Sequence, residues 1–322
     1  MFDVSQIRKD FPILTREVNG KPLVYLDNGA SSQKPDVVID AVTRAYRDEY
    51  ANVHRGLHYL SNLATEKYES VRGIVAKFLN ASDESEIILN TGTTEGINMV
   101  AYGWAMEHMK QGDNIVLSVM EHHANIVPWH FLRERLGIEL KWVNIDDEGN
   151  LDPQSVIDAI DKKTKLVAIT HMSNVLGTIV DVKTICHEAQ SLGVASLVDG
   201  SQGAVHMPID VQDIGCDFYP ITGHKLCGPT GSGAIYVKAE RMAEMAATFQ
   251  AADTNQDGKL DRAEFEDFMT KLGQNSAARN VPFQPHDDFT AEEKDGIYAL
   301  FDAKEETPGV TMADFTAVVV DI

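Results

Sequence analysis

The chemistry in this sequence starts with an amine. Lys225 closes the run Thr222-Gly223-His224-Lys225 and is followed by Gly228-Pro229-Thr230-Gly231, a loop whose glycines leave the backbone free to wrap round one side chain. A lysine in a cleft forms an imine with a carbonyl compound, whereas a loop lysine on its own is more often a solvated charge. Asp199, in Val198-Asp199-Gly200-Ser201-Gln202, offers a carboxylate that keeps a ring nitrogen protonated; alone it would read as a helix N-cap. Thr91-Gly92-Thr93-Thr94-Glu95-Gly96 presents hydroxyls and free N–H groups at the start of a helix, an arrangement that takes a phosphate. The plainer reading is a capping box between Thr93 and Gly96, for which glycine is a poor partner. Glu121-His122-His123 supplies an imidazole able to stack on a ring, and Ser173-Asn174 an amide.

The elements that must position these groups are legible in the hydropathy pattern. Short runs rich in Val, Ile and Leu occur at Glu86–Asn90, Asn114–Val119, Glu139–Asn144, Leu166–Thr170, Ala195–Val198, Asp217–Ile221 and Gly233–Val237. Stretches of helical period lie between most of them, at Gly96–Met109, Ile126–Leu136, Pro153–Ile160 and Val182–Leu192. Alternating β and α elements predict an α/β domain built on a mostly parallel, seven-stranded sheet. Ligands of such sheets bind beyond the carboxyl ends of the strands. The chemical groups above fall at the ends of the first, second, fourth, fifth and sixth strands. A phosphate site, a stacking ring, an amide, a carboxylate and an amine together make up a pyridoxal-phosphate (PLP) site.

The surrounding sequence makes the reading specific. YLDNGASSQKP (Tyr25–Pro35), NVHRGLHYLS (Asn52–Ser61), TGTTEGIN (Thr91–Asn98), MEHHANIVPW (Met120–Trp129), THMSNVLGT (Thr170–Thr178), LVDGSQ (Leu197–Gln202) and DFYPITGHKLCGPTGSG (Asp217–Gly233) resemble the Suf-type cysteine desulfurases, in the class V branch of fold-type I PLP enzymes. The resemblance runs from Phe2 to about Glu240 and implies a PLP-binding large domain over residues 1–240. It implies that Lys225 holds the cofactor as a Schiff base, that His122 stacks on the pyridine ring and helps move protons, and that Asp199 pairs with the pyridine nitrogen. By the same resemblance Gln202 and Asn174 sit by the phenolic oxygen; Thr93, Thr94, Thr222 and His224 hold the phosphate; His54 and Arg55 line the site. L-cysteine becomes the expected substrate, with alanine and enzyme-bound sulfur as products for iron–sulfur cluster assembly. A sulfur-acceptor protein and a second copy of the chain are the expected partners, and the cytoplasm the expected location.

The family continues into a small domain that carries a nucleophilic cysteine on a mobile loop and an arginine for the substrate carboxylate. Here the resemblance stops near Glu240, and the three cysteines are Cys186, Cys216 and Cys227. The sequence therefore predicts cofactor binding with impaired sulfur release. Cys227, two residues beyond Lys225, is a poor stand-in nucleophile because it lies on the cofactor's side. A related class V activity, such as a selenocysteine lyase or an aminotransferase, is an alternative.

Composition marks a second unit. The net charge is -21, which disfavours nucleic acid and anionic membrane as partners. The last 77 residues hold 16 acids against 6 bases, more acidic per residue than the rest. Within them Asp253-Thr254-Asn255-Gln256-Asp257-Gly258-Lys259-Leu260-Asp261-Arg262-Ala263-Glu264 matches a calcium loop. Asp253, Asn255 and Asp257 supply oxygens, Gly258 the sharp turn, Lys259 a backbone carbonyl, Asp261 a water-bridged ligand and Glu264 a bidentate carboxylate. A second loop from Asp302 lacks the glycine and reads as an empty partner. Residues 241–322 are thus expected to be an all-α EF-hand pair that binds Ca²⁺. A calcium-binding regulatory protein on a catalytically dead scaffold is the rival reading from another class.

Overall fold

The structure, a computed structural model, describes residues 3–54, 56–252, 259–260 and 310–311. Seven strands make one sheet: β1 Ile87–Asn90, β2 Asn114–Ser118, β3 Glu139–Val143, β4 Thr164–Thr170, β5 Ala195–Asp199, β6 Phe218–Thr222 and β7 Gly233–Val237. Each overlaps one of the runs picked out by hydropathy. The spatial order is β1-β7-β6-β5-β4-β2-β3. The pairs from β6 to β3 are parallel, while β7 runs antiparallel to both β6 and β1.

The apolar runs are nearly continuous because both faces of the sheet are covered. Alternation along each strand divides the core in two. Leu166 and Ala168 of β4 join Ile115, Leu117, Leu197 and Phe218 on one face. Val167 and Ile169 join Val116, Val198, Tyr219 and Ile221 on the other. The first face is closed by helix Thr93–Val100, and by Val127–Leu136 through Trp129, Leu132 and Leu136. Helix Val182–Ser191 closes the second through Ile185, Cys186 and Ala189. Helix Thr93–Val100 runs on through a π-helical turn, Ala101–Ala105, into Met106–His108.

Two long helices among the described residues lie outside the hydropathy pattern, Asp36–Asp48 and Tyr59–Leu79. The first buries no residue, and the second buries only Ser61, Ala76 and Leu79. Neither contributes enough to the two cores to stand out among the alternating elements.

The last helix among the described residues, Ala239–Ala252, crosses the boundary expected at residue 240. Its start belongs to the α/β packing. Met242 and Met245 rest on the first core. Arg241 donates to Asp217 at 2.9 Å and to both oxygens of Glu244, and Glu244 accepts from the Trp104 indole at 2.6 Å. Arg55, the calcium-loop residues Asp253, Asn255, Asp257, Asp261 and Glu264, and the second loop from Asp302 apart from Val310–Thr311 lie outside the described residues. Lys259 falls in a two-residue strand, Lys259–Leu260, that pairs antiparallel with Val310–Thr311. No helix among the described residues is long and apolar enough to cross a membrane.

Candidate active site

The strand order explains how distant sequence ends meet. β1 lies two places from β6, but antiparallel β7 runs between them and begins where both end: its first residue, Gly233, pairs with both Asn90 and Thr222. A Cβ on Gly233 would stand 2.5 Å from the Gly92 Cα, so only glycine lets the turn after β1 settle here. Gly92 itself has φ +146, and a Cβ on it would come within 3.0 Å of the Thr222 hydroxyl. The helix therefore starts beside Thr222, and it starts at Thr93 rather than Gly96, with Gly92 as an N-cap that supplies no side-chain acceptor. The capping box considered for Thr93 and Gly96 does not form. Instead Glu95 reaches back to accept the Thr91 N–H at 2.5 Å. First-turn N–H groups and the Thr222 hydroxyl thus converge on a site for an anion. Thr93 is buried and accepts from Ser201 at 2.8 Å, which ties the turn to the loop after Asp199; Thr94 is exposed. Asn90, which the sequence reading did not single out, accepts the Gly92 N–H at 2.9 Å and shapes the same turn.

Lys225 ends the short turn Gly223–Lys225 after β6 and is 9% exposed. Among the described residues nothing hydrogen-bonds to its Nζ. Burial lowers its pKa from the ordinary lysine value, and the Asp199 carboxylate opposes that shift. Asp199, 2% exposed at the end of β5, accepts the Ser201 N–H at 2.9 Å. His122 lies in the turn that follows β2. Its Nδ1 accepts the Ala124 N–H at 3.1 Å, so the proton of the neutral ring sits on Nε2. Burial and the nearby Lys225 both lower the His122 pKa, with Asp199 opposing, which favours the neutral ring. His224 is shifted down by burial, then by Lys225 and Lys34.

A segment that entered the sequence reading only as part of a motif, Asp27–Lys34, forms one wall. Ser32 brackets Lys225: its hydroxyl donates to the His224 carbonyl at 3.0 Å and accepts the Cys227 N–H at 2.8 Å. Cys227 adopts φ 62, a left-handed conformation that this bond helps to hold. Gln202 is buried and donates through Nε2 to the Gly29 carbonyl at 2.7 Å. The Asn174 carbonyl lies beside the same glycine, while its side chain is exposed. His54 is not drawn into this group: its Nε2 contacts Glu69 at 2.6 Å. No periodicity marks Ser32 or Asn90, because their work is to hold loop backbone rather than to fill a core.

A buried amine that nothing among the described residues hydrogen-bonds, a buried carboxylate and an imidazole near it, and an uncapped helix start suit a cofactor with an aldehyde, a basic ring nitrogen and a phosphate. The comparisons with known proteins agree. The class-V aminotransferase family matches residues 24–276. A cysteine desulfurase of Escherichia coli K12 is 50% identical over 248 residues, which cover 76% of this chain and 60% of that protein. One from Escherichia fergusonii is 51% identical over 247 residues, with the same coverage of 76% and 60%. The apo structure of a cysteine desulfurase from Thermococcus onnurineus NA1 superposes with a TM-score of 0.70 at 41% identity, covering 76% of this chain and 59% of that one. An Escherichia coli cysteine desulfurase in its S-sulfonic acid form gives 0.67 at 38% identity, covering 76% and 60%. The chain thus spans about three-fifths of the length of the curated relatives it matches. Sequence match and site geometry lead to one conclusion: the chain belongs to the class-V aminotransferase family.

Proposed function

We propose that the chain is the cofactor-binding part of a PLP-dependent cysteine desulfurase and acts on L-cysteine. The observation that carries this reading is the buried Lys225 amine held beside Asp199. When bound, the cofactor supplies an electron sink for the substrate's α-carbon. The chain's residues have the following parts. Lys225 offers a buried amine, more readily neutral than a surface lysine, for covalent attachment. Asp199 holds a proton on the ring nitrogen. Neutral His122 stacks and can take or give a proton at its ring. Gln202 and Asn174 line the phenolic-oxygen side. Thr93, Thr94, Thr222 and His224 hold the phosphate. Similarity to cysteine desulfurases supports the substrate, a sulfur-acceptor partner and a place in iron–sulfur cluster assembly.

The chain's own thiols support impaired sulfur release. Cys186 and Cys216 are buried in the core; burial pushes the Cys186 thiol up to about 12 and Cys216 well above its ordinary value, so neither is a thiolate at neutral pH. Cys227 is pinned by its backbone to Ser32. L-cysteine should therefore change the visible spectrum of the PLP-loaded protein while yielding little sulfide with a reductant. Robust sulfide that Cys227→Ser abolishes would make that residue the nucleophile and overturn the impaired reading. No spectral response to L-cysteine or other amino acids would remove the enzyme reading itself.

Residues 241–322 we propose to be a calcium-binding unit, in which Asp253, Asn255, Asp257, Lys259 and Glu264 are the ligands. The match to the loop pattern supports this, as does the antiparallel pairing of Lys259–Leu260 with Val310–Thr311, since it brings the loop beside the segment read as its partner. Calorimetry should give one site, in the sensor range of about 10⁻⁷–10⁻⁵ M, that Glu264→Gln weakens severely. Two tight sites, or equal binding by the variant, would refute it. A homodimer is supported by apolar side chains left in the open, Leu57 at 102%, Leu26 at 90% and Tyr59 at 77% exposure.

A further inference from the structure

Beneath the turn that carries His122 runs a chain of buried polar side chains. Glu121 is 8% exposed, and Ser118, Asn125 and Trp129 are each 0% exposed. The Ser118 hydroxyl donates to Glu121 Oε1 at 2.5 Å, and the Asn125 amide donates to Oε2 at 2.8 Å. Asn125 in turn accepts the Trp129 indole N–H at 3.0 Å. The Thr170 backbone, at the end of β4, lies near the carboxyl group and favours its charged form. Glu121 thus joins the end of β2, the turn His123–Asn125 and helix Val127–Leu136.

No cation among the described residues compensates this carboxyl group. Burial raises its pKa to about 7, against the hydrogen bonds from Ser118 and Asn125, and the like charge of Asp199 adds a little in the same direction. A buried acid without a counter-ion costs stability that an apolar residue would not. The geometry shows what that cost secures. The Asn125 N–H donates to the His122 carbonyl at 2.8 Å, and the Ala124 N–H to the His122 ring at 3.1 Å. Fixing Asn125 therefore fixes both the backbone and the ring of His122.

We infer that Glu121 is a positioning residue: it clamps Asn125 and Ser118 so that His122 presents one tautomer and one ring orientation toward Lys225 and Asp199. The role of His122 toward a cofactor rests on the PLP reading; the clamp itself does not.

The test therefore uses the full chain without cofactor. Long-range ¹H–¹⁵N spectra of histidine-labelled protein, with the His122 signals identified through His122→Gln, should show Nδ1 unprotonated and Nε2 protonated. Glu121→Gln should largely retain this pattern, because the Ser118 hydroxyl can turn from donor to acceptor while the introduced amide still accepts from Asn125 through its carbonyl oxygen. Glu121→Leu should move both nitrogens toward averaged positions, and the affinity for PLP should fall roughly tenfold, as for one net hydrogen bond lost. A folded Glu121→Leu whose His122 signals match the parent overturns the inference. Should that variant fail to fold, Ser118→Ala removes one donor at little cost in volume: averaged His122 signals in it sustain the clamp, and unchanged signals overturn it. Absence of PLP binding by the unaltered protein would remove the PLP reading while leaving the tautomer result to decide the clamp.

Discussion

Lys225→Ala should leave the folded protein colourless after dialysis against PLP-free buffer, where the parent stays yellow. Nothing else among the described residues of the site offers a buried amine, and cofactor held by phosphate and ring contacts alone exchanges freely. Amino-acid chemistry should fall by ~10³-fold or more, about 4 kcal/mol, because the reacting amine that positions the cofactor is gone. Lys225→Arg keeps the charge and cannot attach covalently, so it should fail in the same way. The rate of attachment should carry a pH signature. Only the neutral amine attacks a carbonyl, and burial lowers the Lys225 pKa. The neutral fraction is therefore larger at any given pH than for a surface lysine titrating near about 10.4. Attachment should rise with pH and level off below that range. Persistent colour in Lys225→Ala, or an attachment rate that climbs up to the ordinary lysine range, would remove the assignment.

Asp199→Asn should separate two effects that usually travel together. The carboxylate opposes the downward shifts of both Lys225 and His122. Removing its charge leaves the Lys225 amine more often neutral, so initial attachment at neutral pH should be faster than in the parent. Retention should be weaker, because the ring nitrogen loses a buried charged partner worth about 3 kcal/mol, or ~10²-fold in affinity. Stopped-flow absorbance gives the first quantity and equilibrium dialysis the second. Slower attachment with unchanged retention would mean that Asp199 does not face the ring nitrogen.

The sheet was legible because its strands are apolar on both faces, a pattern that needs no knowledge of partners. Lys225, Asp199, His122 and the Thr93 turn were legible because they sit where such strands end. β3 offers no site residue, and the reason is spatial: it lies at the far edge, beyond β2. Ser32, Asn90 and Glu121 were not legible as supports. Each works through a few hydrogen bonds to loop backbone or to another side chain, which leave no period in the sequence. Helix Tyr59–Leu79 was missed for a related cause: it covers the sheet with few residues, and much of its apolar surface faces outward. The helix that crosses residue 240 shows why a change in composition is a soft guide to a boundary, since Arg241 and Glu244 are charged yet hold the α/β core.

The π-helical turn Ala101–Ala105 decides what the two ends of its helix can reach. A π turn closes i→i+5 hydrogen bonds and so holds one residue more than an α turn. Without it, everything downstream would rotate by about 100° on the helix axis. Trp104, whose indole meets Glu244, and His108, which stacks on Trp104, would then face elsewhere. The upstream end of the same rod is already committed to the Thr93 turn. The extra residue lets a single helix begin at the Thr93 turn and still present Trp104 to the helix Ala239–Ala252. Deleting one residue from Ala101–Ala105 should therefore break the Trp104–Glu244 contact while leaving the Thr93 turn in place, which tryptophan fluorescence would report.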